Sequence, residues 1–322
     1  MGYVFKTYFL NGREHFVFGE DQIIKTDFPF SESLMKLLDL EYSVLGELCQ
    51  RLDKAIRDLC MEKDPAFAAV VRDGLEELAE KHIYFEFLRL DWTDRLNRAE
   101  EMSFVKCSGL LPHKDISRIP SEIAHEQKQI REIIRLALDI DANRDDPRPP
   151  EEKLFSYYQN ENRDLANNRL SLFQFRTLPL SYEMTESDVF CEVLHPESIC
   201  DLIDYAFRKS FMERQRWRVC RHCGKYFPIR SRASAEYCDR VITAAGGTCK
   251  EVGSTKVWEE KMSSDELFRI YRREYKRRFA WIRLGKWTQE EFSSWSAEAQ
   301  EKRTLCGLGK VSPEEFIAWI KS

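Results

Sequence analysis

The sequence predicts a mainly α fold with a minor β component, in the α+β class. Three observations carry this. Apolar residues recur at three- and four-residue steps over most of the chain, as one buried helix face requires. Strand-like alternation is confined to the first residues and to a short stretch near 170–193. Capping-box patterns, in which Ser or Thr precedes Glu by three residues, recur toward the C-terminus at Ser263/Glu266, Thr288/Glu291 and Ser312/Glu315. With 43% hydrophobic and 33% charged residues, the chain has enough apolar material for real cores.

Residues 3–10 are rich in aromatic and β-branched side chains, Asn11-Gly12 is the preferred pair for a type I′ turn, and residues 15–18 supply a return strand, so a β-hairpin is expected over 3–18. Helices follow. Leu34, Leu37, Leu38, Leu45, Leu48, Leu52, Ile56 and Leu59 mark one face. Asp64-Pro65 reads as an N-cap with Pro at the first helical position, opening a helix through Val70, Leu75 and Leu78. The aromatic stretch 84–92 is core of undefined conformation, and a further helix is expected over 121–140. Residues 141–153, with Asp145-Asp146-Pro147-Arg148-Pro149-Pro150, read as an exposed loop. Alternation predicts a strand at 170–175 and a strand or turn within 182–193, and Pro196 opens the next helix. The tail is helical, with an internal echo between Thr288-Gln-Glu-Glu-Phe-Ser-Ser-Trp295 and Ser312-Pro-Glu-Glu-Phe-Ile-Ala-Trp319. Three regions are expected: a helical N-terminal domain over 1–195, a cysteine module over 196–262, and a basic helix with its helical tail over 263–322.

No run of eighteen apolar residues occurs, so no membrane-spanning helix and no membrane partner is expected. The N-terminus lacks a signal-peptide pattern, and ten cysteines spread over 322 residues do not form a secreted disulfide scaffold, which points to a reducing cytoplasmic compartment. Cys49, Cys60, Cys107, Cys191, Cys200 and Cys306 read as thiols packing like small hydrophobes.

The remaining four cysteines carry the chemistry. Cys220 and Cys223 form Cys-x-x-Cys followed by Gly224; Cys238 lies 15 positions after Cys223, and Cys249 lies 11 positions further on. Thiolates at such spacing suit one tetrahedral, structural zinc ion, with no ligand position left open for catalysis. Gly224 permits the tight turn of a knuckle, and Thr248-x-x-Glu251 places Cys249 in the first turn of a helix, where the macrodipole favours a thiolate. A knuckle plus a ligand on a helix start is the layout of a treble-clef-like zinc finger. It departs from the usual pattern because residues 239–248 split the second pair of ligands. A redox pair or plain buried cysteines are the competing readings, and His222, between two cysteines, is a weak substitute ligand.

From about residue 190 onward the sequence resembles an uncharacterised family of bacterial proteins. Cys220, Cys223, Gly224, Lys225 and Phe227 match its C-x-x-C-G-K-x-F. Tyr237 and Cys238 match its Y-C, and Thr248, Cys249, Glu251 and Gly253 match its T-C-x-E-x-G. The resemblance implies the zinc assignment and no activity. The C-terminal part is also similar to small treble-clef fingers of mobile-element and regulatory proteins, in which an Arg-rich helix follows.

Charge is distributed unevenly. Residues 207–286 hold 21 Lys+Arg against 9 Asp+Glu, a net of +12, whereas the rest of the chain nets −17. Arg218, Arg221, Lys225, Arg230 and Arg232 surround the knuckle, and Arg269, Arg272, Arg273, Lys276 and Arg277 line one side of the helix that follows. Such a face suits DNA or RNA phosphates, with an acidic protein partner or neutralisation within the chain as alternatives. P-loop, Rossmann, Gly-x-Ser-x-Gly and His-Glu-x-x-His patterns are missing from the sequence, and no catalytic residue stands out. The expected function is therefore zinc-supported nucleic-acid binding or regulation. A zinc-stabilised protein-interaction module is the alternative, and an enzyme with an unrecognised N-terminal site is third.

Overall fold

The structure, a computed structural model, describes residues 2–164, 173–185, 188–230, 234–242, 246–253, 255 and 265–322, the side chains of 160–164 apart. It divides into two compact units, Met1–Val219 with Lys225–Ala235, and Cys220–Gly224 with Glu236–Ser322.

The first unit contains a five-stranded antiparallel sheet in the order β3-β2-β1-β5-β4. β1 (Val4–Leu10) and β2 (Arg13–Gly19) form the expected hairpin, with Asn11 at φ 52° and Gly12 at φ 71° supplying the left-handed pair of a type I′ turn. Period-2 alternation turns Phe5, Thr7, Glu14, Phe16 and Phe18 inward. Sequence reading missed β3 (Ile23–Pro29), whose residues are mostly exposed and so carry no apolar alternation. β4 (Leu180–Met184) and β5 (Phe190–Leu194) form a second hairpin, which joins β1 through Thr7 opposite Leu194 and Tyr8 opposite Val193. Of the strand expected at 170–175, residues 170–172 lie outside the described residues. Phe173 and Phe175 instead pack on Phe207 as an aromatic cluster, at 5.0 and 6.0 Å between centroids.

The helical body of this unit comprises α1 (Glu32–Asp39), α2 (Tyr42–Glu62), α3 (Pro65–Lys81), α4 (Phe85–Glu101), the single turn α5 (Cys107–Leu110) and α6 (His113–Ile133). All eight apolar residues read as one face over 34–59 are buried, divided between α1 and α2. Asp64 accepts a hydrogen bond from Ala66 N at 2.9 Å, with Pro65 at N1, as the sequence indicated. Within this helix Val70 is 53% exposed, and Ala68, Val71, Leu75 and Leu78 hold the buried stripe. The expected helix at 121–140 starts earlier, because Ile116 and Ile119 extend its buried row upstream of Pro120. It ends in a π-helical turn, Ile134–Leu138. The proline-rich stretch ends in α7 (Pro150–Asp164), with Pro150 as its first residue rather than a breaker. A reciprocal capping box of Ser198 and Asp201 opens α8 (Ile199–Met212), and the short pair β6 (Trp217–Val219) and β7 (Tyr226–Pro228) follows.

Among the described residues, the second unit holds the cysteine cluster with a helical segment at 249–253, followed by α9 (Glu266–Arg283), α10 (Gln289–Gly307) and α11 (Pro313–Lys321). Thr288 with Glu291, and Ser312 with Glu315, form the two capping boxes read from the sequence. Ser263 lies outside the described residues; α9 is capped by Asp265, which accepts from Phe268 N at 2.8 Å. The echoed Phe-x-x-Trp positions build the core, with Tyr271, Phe292, Trp295, Ala299, Phe316 and Ile320 buried and Trp319 packed against them.

Candidate metal centre and basic helix

Chain geometry around the four cysteines begins with the turn 220–224. Gly224, at φ 70°, donates its N–H to Cys220 O at 2.9 Å and closes the knuckle. Arg221 N donates to Glu236 O at 3.0 Å, which brings the segment carrying Cys238 alongside. Between Cys238 and Cys249 the chain doubles back through the Val241–Thr248 bridge and a bond from Ile242 N to Gly247 O. Cys249 N then donates to Arg240 O at 3.0 Å. Thr248 N reaches Glu251 Oε2 at 2.8 Å and Glu251 N reaches Thr248 Oγ1 at 3.3 Å, so the capping box does start a helical segment at Cys249. Gly253 is required here: a Cβ at this position would stand 2.5 Å from the Tyr237 ring and 3.1 Å from His222 Cβ. The Tyr-Cys and final Gly of the motif are thus in contact.

The outcome is a cluster in which the sulfurs of Cys220, Cys223, Cys238 and Cys249 all lie within 4.8 Å of one another. Cys223 and Cys238 stand 3.7 Å apart. Four thiolates at ~2.3 Å from a tetrahedral ion are separated by ~3.8 Å, so the arrangement can hold a metal ion. Cys220, Cys238 and Cys249 are buried. Burial pushes the Cys220 thiol up, but the backbone amides of Cys223, Cys238 and His222 outweigh it and bring it down to about 7, favouring a thiolate. Burial and then the neighbouring Cys238 sulfur push Cys249 up. His222 is not one of the four converging ligands; its Nδ1 lies 3.4 Å from Cys249 Sγ, where an N–H would steady that sulfur.

The basic residues fall into two environments. Around the knuckle most hold carboxylates. Arg218 meets Asp141 at 2.7 Å, Arg221 meets Glu236 at 2.9 Å, and Lys225 approaches Asp39 at 4.0 Å. Arg230 pairs with Glu32 at 2.5 Å and donates to Phe30 O. Arg232 lies outside the described residues. On α9, Arg269, Arg273, Lys276, Arg277 and Arg283 are exposed or half-buried at the helix surface. At ~100° per residue, Arg269, Arg272, Arg273, Lys276 and Arg283 share one side. Arg277 is paired with Glu274 at 2.6 Å, whereas Arg273 stands 3.8 Å from it. Phe279 is 43% exposed; it stacks over Tyr275 at 6.5 Å beside Arg272, Lys276 and Arg283, which line a shallow groove of about 200 Å³.

Arg278 does not stand out in the sequence. It is 4% exposed and sits among Trp281, Trp287 and Trp295, with its guanidinium carbon 5.3, 5.1 and 4.8 Å from their ring centroids. Its Nη2 donates to Ile320 O at 3.2 Å, satisfying a carbonyl at the end of α11. The available signal is its position: it continues the inward row of Tyr271 and Glu274 rather than the outward one.

Residues 174–307 match the model of a family of unknown function, DUF6076, a span that takes in all four cysteines and α9. No curated protein and no solved structure matches the chain.

Proposed function

We propose that the four thiols hold one structural zinc ion and that the cationic side of α9 binds the phosphate backbone of nucleic acid. The all-sulfur donor set and its tetrahedral spacing favour zinc, and four protein ligands leave no place for a substrate. The observation that carries the nucleic-acid reading is the row Arg269, Arg273, Lys276 and Arg283. These residues line one helix side, and the nearest carboxylate contact among the described residues is the 3.8 Å approach of Glu274 to Arg273. Phe279, exposed in the same groove, offers a face on which an unpaired base can stack. Arg218, Arg221, Lys225 and Arg230, engaged with carboxylates, contribute at most a background field in this reading. Arg232 adds its charge to the same stretch.

The engagement of the knuckle cations favours the second reading, a zinc-stabilised module without a nucleic-acid role. Fluorescence anisotropy with short single- and double-stranded oligonucleotides separates the two. The first reading expects binding whose log–log salt slope is about −3 to −4, for four to five phosphate contacts. It also expects a loss of at least about 100-fold on changing Arg269, Arg273 and Lys276 together to Glu. Wild-type protein that binds neither DNA nor RNA at low salt removes the nucleic-acid reading and leaves the zinc in place. Elemental analysis of protein purified without chelator tests the ion separately, with one zinc per chain expected.

A further inference from the structure

Outside the four-thiol cluster, one other sulfur–sulfur contact lies within hydrogen-bonding distance among the described residues. Cys60 Sγ, near the C-terminal end of α2, lies 2.8 Å from Cys107 Sγ, at the start of α5. Both thiols are free. They stand in the first unit, which has its own core. We propose that Cys60 and Cys107 form a modification site, a dithiol that hydroperoxides convert to a disulfide joining α2 to α5.

Geometry assigns the two roles. Cys60 is half-buried and Cys107 is 1% exposed, so an oxidant from solvent meets Cys60. The Cys60 sulfur attacks the terminal peroxide oxygen, the O–O bond breaks, and Cys60 sulfenic acid forms as water (or an alcohol) leaves. The Cys107 sulfur then displaces the sulfenic oxygen. An S–S bond forms, the S–O bond breaks, and the oxygen departs as water with the Cys107 proton. The peroxide takes up two electrons and the pair of thiols gives them. Burial, and then the adjacent Cys60, push the Cys107 thiol up to about 12, so Cys107 waits as a protonated partner rather than a second target for oxidant. The contact must shorten by about 0.8 Å to reach the ~2.05 Å bond length. The single turn α5 can supply this by a small shift, because it sits at the end of a loop rather than within a long helix. The linkage would close the chain from 60 to 107 around α3 and α4.

The test uses the full-length chain treated with stoichiometric hydrogen peroxide, alkylated, digested with trypsin without reductant and read by mass spectrometry. The expected product is peptide 58–63 joined to peptide 107–114, lighter than their sum by two hydrogen atoms and separated by dithiothreitol. Changing Cys107→Ser should leave Cys60 as a sulfenic acid trapped by dimedone. The oxidised wild type should melt several degrees higher than the reduced form. If Cys60 accumulates as sulfenic or sulfinic acid in the wild type, or pairs with any other cysteine, without the 58–63/107–114 product, the proposal is overturned. Oxidation of the four-thiol cluster appears in other peptides, so it cannot be mistaken for either result.

Discussion

The two compact units solve the problem of holding polar groups inside in opposite ways. In the first unit, the interior is broad and apolar, and one buried polar network is tied among its own members. Glu14 Oε2 accepts from Ser33 N at 3.1 Å, Ser33 Oγ meets Tyr84 Oη at 2.8 Å, His82 Nε2 donates to Ser33 O at 2.9 Å, and Tyr84 N donates to His82 Nδ1 at 3.2 Å. That network satisfies both imidazole nitrogens, so His82 is a neutral structural histidine. Among the described residues of the second unit, six buried apolar residues and the buried Arg278 guanidinium form the helical core, and four thiols form a second cluster. A small module with little apolar area to bury needs a staple, and a structural metal is one that its four thiols could hold. The difference teaches where each unit is vulnerable: the first to loss of packing or a change of charge, the second, on the proposed zinc reading, to loss of that ion.

Removing the proposed zinc ion would break the comparison most sharply. Chelation, or Cys249→Ser, is expected to unfold the segment carrying the cysteines, since a four-thiolate zinc site contributes ~10 kcal/mol or more to its fold. Limited proteolysis should show rapid cleavage at Arg221 and Arg240 while α2, α3 and α4 remain protected. An unchanged digestion pattern after chelation would mean that the thiols need no metal.

The next effect concerns Arg278. Replacing it by Ala removes three aromatic contacts and leaves the Ile320 carbonyl unpaired, at an expected cost of ~3 kcal/mol in chemical denaturation of the second unit. Arg278→Lys should recover little, because an ammonium cannot lie flat against several indoles. Full stability in Arg278→Lys would show that charge alone is what matters there.

The third prediction sharpens the picture of the first unit. Burial raises the Glu14 carboxyl from 4.5 to about 7, so its folded form keeps a proton that the unfolded chain releases. Its stabilising contribution is complete below pH 4.5 and is lost as pH rises toward 7. Burial lowers His82 from 6.5 to about 4, so its contribution is complete above pH 6.5 and is lost as pH falls toward 4. The two slopes oppose each other across the shared window. Glu14→Gln keeps an acceptor for Ser33 N and deletes one slope, so between pH 4 and 6.5 the variant should gain ~3 kcal/mol of stability relative to the wild type. A variant whose pH profile matches the wild type would show that these two groups do not govern the interior's response to pH.

Much of the α+β fold is legible in the chain, and the reason is local. The Asn11-Gly12 turn, the Asp64 cap and the capping boxes at Thr288 and Ser312 each act within four residues, so their pattern in the sequence is their geometry. What failed were features whose identity depends on a distant surface. β3 carries no alternation because it covers little. Phe175 alternates like a strand yet serves an aromatic cluster with Phe207. Pro150 looks like an interruption until a helix begins on it.

The candidate metal site divides in the same way. Cysteine spacing, Gly224 and the Thr248–Glu251 cap identified the four sulfurs by themselves, because a knuckle and a helix start are short-range structures. Three things only the tertiary structure decided: which cations hold carboxylates and which on α9 stay open, that Arg278 lies among three tryptophans, and that Cys60 touches Cys107. Each of these is a distance between side chains that no local pattern encodes, and such a distance is set by how helices and strands pack rather than by the order of their residues.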